Sequence, residues 1–157
     1  PGQKRKDMRL LIIEGATHTS IGVNYLEEAE AFYGDFLGLE ARGRLGGTRI
    51  SCFSVGDNNI LLCERDQPLE VPTAEDNKVH HSFTVSPETL TQACKLFAEK
   101  QVVIDELVYR GKGFFTGREL YFFDSIGNRL ELRDPTWQEG MATPSFEEIV
   151  REEIVHS

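Results

Sequence analysis

The chain has 157 residues, 39% hydrophobic and 27% charged, with a formal net charge of -9. This suits one globular domain that buries about 70% of its unfolded surface, and the acidic balance sets aside nucleic acid and anionic membranes as partners, because both require a basic patch. No apolar run approaches the roughly 20 residues of a membrane span, and no signal-peptide pattern is present. The three cysteines, Cys52, Cys63 and Cys94, form no CxxC and no paired spacing. They point to free thiols in a reducing cytoplasm and exclude a zinc ribbon.

In chain order, Leu10–Ile13 is a short apolar run that reads as an edge strand or a start segment. His18–Val23 alternates as a strand does. Leu26–Leu37 carries Leu26, Ala29, Phe32, Tyr33 and Phe36 at helical spacing, has Glu27, Glu28 and Glu30 in its first turns, and ends at Gly38. Residues 39–44, 48–55 and 59–64 follow as three short strands, separated by Gly46-Gly47 and Gly56-Asp57-Asn58. Residues 67–78 are polar, contain Pro68 and Pro72, and read as a surface linker. The pattern then restarts. His80–Val85 is a strand, and Ser86 caps a second helix with Pro87 at its first position, running to about Lys100. Residues 102–109, 115–123 and 128–133 are three more strands. Phe146–Val155 is a final amphipathic helix with Phe146, Ile149, Val150 and Ile154 on one face.

The stretch LYFFDSIGNRLELR, from Leu120 to Arg133, is a β-hairpin whose turn is Asp124–Asn128. Alternation puts Glu131 on the face opposite Leu130 and Leu132. A carboxylate there must be solvated, paired or bound to a metal. Each half of the chain runs strand, helix, strand, strand, strand, and each opens on a His followed five residues later by a Val: His18/Val23 and His80/Val85. A repeat of about 60 residues suggests two copies of one supersecondary unit.

The motifs HTSIGVNYLEEAEAFYGDFLG from His18, ILLCERD from Ile60, VHHSFTV from Val79 and LYFFDSIGNRLEL from Leu120 resemble the vicinal oxygen chelate superfamily. It includes glyoxalase I, methylmalonyl-CoA epimerase, fosfomycin-resistance thiol transferases, bleomycin-resistance proteins and extradiol dioxygenases. The resemblance implies an α+β fold: two tandem βαβββ modules forming a curved, barrel-like mixed sheet around a metal cavity, plus a C-terminal helix. As a single domain it would comprise module one at about 17–66, a linker at 67–78, module two at about 79–134 and an extension at 135–157. The resemblance places metal ligands at His18, His80 and Glu131, and leaves the apolar Leu61 where many members carry a fourth ligand. Two histidines and one carboxylate form the facial triad that suits Fe(II), with Mn(II), Zn(II) or Ni(II) as alternatives.

Tyr121, ten residues before Glu131, matches a position where family members hold a Tyr that bonds substrate near the metal; its alternative is a core aromatic. Ser20 shares a strand face with His18 and bonds either a substrate oxygen or a neighbouring strand. Phe53, Leu61 and Cys63 are expected to line an apolar pocket. Arg110, Lys112 and Arg118, interleaved with glycines, read as an exposed hairpin loop or as a lid that attracts an anion. His81 is expected on the opposite sheet face, as packing or surface.

The resemblance leaves three functions open. The first is an Fe(II) dioxygenase of the extradiol type acting on a small aromatic or vicinal-oxygen substrate through Tyr121, although residues 62–79 lack the additional His that ring-cleaving members use. The second is a glyoxalase-, epimerase- or thiol-transferase-type reaction with the metal as Lewis acid. The third is a non-catalytic protein that sequesters a drug-like aromatic. A small-molecule substrate, a cytoplasmic location and a homodimer are expected, the dimer using the terminal helix to cover a neighbouring surface.

Overall fold

In the computed structural model the described residues are 10–69 and 79–152. The chain divides into two compact units at Arg65/Asp66. Each unit carries one four-stranded mixed sheet, so the secondary structure is two βαβββ modules in an α+β fold, as expected. The sheets are two separate open ones, not one continuous barrel wall among the described residues.

The first unit contains β1 (His18–Val23), α1 (Leu26–Glu30), β2 (Glu40–Arg44), β3 (Ile50–Val55) and β4 (Asn58–Glu64), with the sheet ordered β1-β4-β3-β2. The expected continuous helix to Leu37 is instead α1 followed by a π-helical turn, Ala31–Phe36, in which Leu37 N–H bonds Phe32 O at 2.9 Å. Gly34 in that turn lies against β3: a Cβ there would sit 3.1 Å from the Phe53 ring. The first amide of α1, on Leu26, donates to Glu64 Oε2 at 2.8 Å. Ile21, Val23, Leu26, Tyr33, Phe53 and Leu62 form the buried layer between helix and sheet. Leu10–Ile13 forms no strand; all four side chains are 75–96% exposed.

The second unit contains β5 (His81–Thr84), α2 (Pro87–Glu99), β6 (Ile104–Arg110), β7 (Gly117–Phe123), β8 (Arg129–Asp134) and α3 (Phe146–Arg151), with the sheet ordered β5-β8-β7-β6. Ser86 caps α2 by accepting from Thr89 N–H, and Ser145 with Glu148 makes a capping box on α3. Leu90, Cys94 and Phe97 of α2 pack with Phe83, Leu120, Phe122 and Leu130 as the core. The terminal helix packs on α2, with Ile149 2% exposed. Ile149 is thus covered within its own unit, while Phe146 and Val150 on the same face are half-buried; Ile154 and Val155 lie outside the described residues, as does the expected linker from residue 70 to 78.

Candidate metal centre

Strand register decides which side chains share a face. Residues opposite one another in a ladder point the same way. In β7–β8 Tyr121 pairs with Glu131, Glu119 with Arg133 and Leu120 with Leu132. In β5–β8 Ser82 pairs with Glu131 and Phe83 with Leu132. One face of this sheet therefore holds Phe83, Leu120, Phe122, Leu130 and Leu132 under the helices. The other face, away from the helices, holds Ser82, Glu119, Tyr121, Glu131 and Arg133, and His80 extends along it from just before β5.

Glu131 is 3% exposed. His80 Nε2 stands 3.2 Å from its Oε1, and Arg133 Nε 3.8 Å from its Oε2. Burial pushes the Glu131 carboxyl above the usual range, the nearby Glu119 charge adds to this, and His80, Arg133 and a hydrogen bond from Ser82 oppose it. Arg133 Nε is buried without a hydrogen-bond partner. The Tyr121 ring meets His80 edge-on, with centroids 5.6 Å apart, and the Arg129 guanidinium lies 3.8 Å over its face.

The Tyr121 hydroxyl donates to Glu119 Oε1 at 2.9 Å. Here that proton is directed to Glu119, whereas the hydroxyl was expected to donate to a substrate oxygen. Burial, followed by that bond, pushes the Tyr121 phenol up to about 12. Glu119, 2% exposed, also accepts from Arg110 Nε at 3.1 Å and pairs with Arg110 Nη2 at 3.0 Å. Sequence reasoning missed Glu119. Its signal was available: it stands two residues before Tyr121, hence on the same strand face.

Arg118 is placed differently from the expectation. Being three residues from Tyr121 on a strand, it faces the helices, where it is 9% exposed, donates to Pro87 O at 3.0 Å and pairs with Asp134 at 3.6 Å. It belongs to β7 and is not part of a lid; the connection 111–116 is an exposed loop with Phe114 fully exposed. His81 also faces the helix side, opposite Leu130, and burial lowers the pH at which it takes a proton.

In the first unit the open face carries His18, Ser20, Cys52, Asn59, Leu61 and Cys63, since His18 pairs with Asn59, Ser20 with Leu61 and Cys52 with Leu61. Phe53 pairs with Ile60 on the helix side and is 1% exposed, so it is core, and Cys52 takes the place beside Leu61 that Phe53 was expected to hold. His18 is exposed, and its Nδ1 lies 3.0 Å from Thr17 Oγ1. A bulge between Ala41 and Gly43 lets Arg42 reach Asn59 Oδ1 at 3.0 Å.

Two βαβββ modules, the second holding a buried Glu beside a His on the sheet face away from the helices, define a class of small α+β proteins. A model of the Glyoxalase/Bleomycin resistance protein/Dioxygenase superfamily matches residues 15–132, and the chain belongs to that superfamily. Similar solved structures include an integron cassette protein from the mobile metagenome of Halifax Harbour sewage outfall, 24% identical, with TM-score 0.61 over 78% of this chain and 99% of the other. The fosfomycin resistance protein FosX from Listeria monocytogenes is 22% identical, with TM-score 0.60 over 78% of this chain and 94% of the other. Lactoylglutathione lyase from Agrobacterium tumefaciens is 22% identical, with TM-score 0.57 over 83% of this chain and 100% of the other. At these identities the likeness is one of fold.

The superfamily implies a divalent cation, and the donor set of the second unit fits one. A carboxylate whose ionisation is opposed by burial, with an imidazole nitrogen at 3.2 Å, gains from a dication placed between them. Among the described residues no three His, Cys, Asp or Glu side chains already form a metal cluster. His80 and Glu131 are a pair in one unit, and His18 stands in the other.

Proposed function

We propose that the chain is a divalent-metal-dependent enzyme acting on a small substrate that offers two neighbouring oxygen atoms. The observation that carries this reading is the buried Glu131 beside His80 Nε2 on the sheet face away from the helices. His18 is proposed as the third ligand. Its Nδ1 contact with Thr17 would orient the ring, as the second nitrogen of a ligating His is ordinarily held. The set is two histidines and one carboxylate, for which Fe(II) is our first choice and Mn(II), Zn(II) or Ni(II) are alternatives. The FosX of Listeria monocytogenes has been crystallised with Mn(II), which supports a divalent ion here.

When bound, the metal would supply Lewis acidity and substrate chelation. The chain's own residues then hold the substrate: Tyr121 and Ser20 through hydrogen bonds, Leu61 and Cys63 through apolar contact. Arg110 and Arg133 balance the charge of the acidic pair Glu119 and Glu131, and Arg129 pairs with Asp105. The finer reading we put first is a dioxygenase of the extradiol type on a small aromatic, with Tyr121 beside the chelating oxygens. A second reading, a glyoxalase- or fosfomycin-modifying type of reaction, is favoured by one observation: His81 faces the helices, so beyond His80 the described residues on the other face of the second unit's sheet include no additional His as acid-base.

Metal content of protein purified without chelator tests the site. We expect a divalent ion in the wild type and its loss in His18→Ala, His80→Ala and Glu131→Ala. Unchanged content in Glu131→Ala would overturn the reading. Oxygen uptake with a catechol then separates the two reactions, because only the dioxygenase consumes oxygen.

A further inference from the structure

We infer that Glu119 fixes Tyr121 as a hydrogen-bond acceptor, so that the substrate presents a hydroxyl to it and not a bare carbonyl or oxyanion. The inference rests on the metal site proposed above and names the class of substrate that site takes.

A tyrosine hydroxyl has one proton and two lone pairs. Arg110 can only donate, and it bonds both oxygens of the Glu119 carboxylate, at 3.1 and 3.3 Å. The carboxylate is therefore an acceptor for both neighbours, and the Tyr121 proton goes to Oε1 at 2.9 Å. Glu119 is 2% exposed, so no bulk water competes for this bond, and a buried charge-assisted bond is a strong one. Arg110 is held by Glu119, and the phenol oxygen keeps its lone pairs for a ligand. Tyr121 stands opposite Glu131 in register and its ring meets the His80 ring, and on that register the proposal sets a lone pair of its oxygen at the chelation site. A vicinal diol, a catechol or an enol satisfies it. A dicarboxylate leaves two acceptors facing each other, which costs the bond and adds repulsion.

The test uses Mn(II)-loaded protein and calorimetric titration with two chelating probes: catechol, which carries hydroxyl protons, and oxalate, which carries only acceptors. In Glu119→Gln the Arg110 guanidinium holds the amide oxygen, the amide N–H₂ turns to the Tyr121 oxygen, and the Tyr121 proton is released toward the site. We expect the catechol-to-oxalate affinity ratio to fall by about tenfold, with Mn(II) retained. An unchanged ratio with Mn(II) retained overturns this inference alone. Wild-type protein that binds no Mn(II), or Mn(II) binding untouched by Glu131→Ala, overturns the metal site and the inference with it. If Glu119→Gln does not fold, Tyr121→Phe serves: catechol should weaken while oxalate does not, and equal effects on both probes overturn the inference.

Discussion

Gly117, at the start of β7, has φ 138°, and a Cβ there would sit 3.0 Å from Pro135 Cα and collide with the Asp134 carbonyl oxygen. Both obstacles are backbone at the end of β8, so neither can move without breaking the ladder. Gly117→Ala is expected to cost about 1–3 kcal/mol, read as a lower urea midpoint at unchanged slope. Gly22 is the control. A Cβ there would meet the Arg65 guanidinium at 2.9 Å, but this is the far end of a flexible side chain, tied by a long 3.3 Å bond to Asn24 Oδ1, and Gly22→Ala should change stability by less than about 0.5 kcal/mol. A large loss in Gly22→Ala, or none in Gly117→Ala, would refute the distinction between yielding and fixed neighbours.

The clamp between α1 and its sheet is electrostatic at its rim. Arg49 pairs with Glu27 at 2.8 Å and with Glu64 at 2.9 Å, while Arg44 pairs with Glu30 at 2.7 Å. The Arg49 hydrogen bonds lead in holding both Glu27 and Glu64 down to about 2, below a usual 4.5. A depressed folded-state value means that the stabilisation is present above 4.5 and is lost as pH falls toward 2. Arg49→Ala should accordingly lower the melting temperature modestly at neutral pH and flatten its fall over that acid window; an unaltered acid profile would show that solvent screens the pairs completely. At this scale much was legible beforehand. Asp124 accepts from Ile126 N–H, Asn128 N–H and the Asn128 side chain at 2.8–3.0 Å, which is the turn chemistry that DSIGN announces. Strand parity alone separates Arg118 from Tyr121 and joins Glu119 to it. Phe53 was not legible, because which of Cys52 and Phe53 opposes Leu61 depends on the register set by the Gly56–Asp57 turn. The π-helical turn leaves no mark in a pattern that fits an ordinary helix.

For the molecule as a whole, the proposed ligands are divided: His18 in one unit, His80 and Glu131 in the other. β1 and β2 end one sheet, β5 and β6 the other, and open edges are commonly covered by a second copy. We expect a homodimer, and a monomer mass by light scattering at micromolar concentration would count against it. The single tryptophan, Trp137, follows β8, is 8% exposed, donates to Ala142 O at 2.9 Å and lies tilted against Tyr109, with ring centroids 5.2 Å apart. Its emission is therefore a private reporter for the second unit. During denaturation, fluorescence follows that unit alone, whereas far-ultraviolet dichroism follows both, so any gap between the two curves is the separate melting of the unit that carries His18.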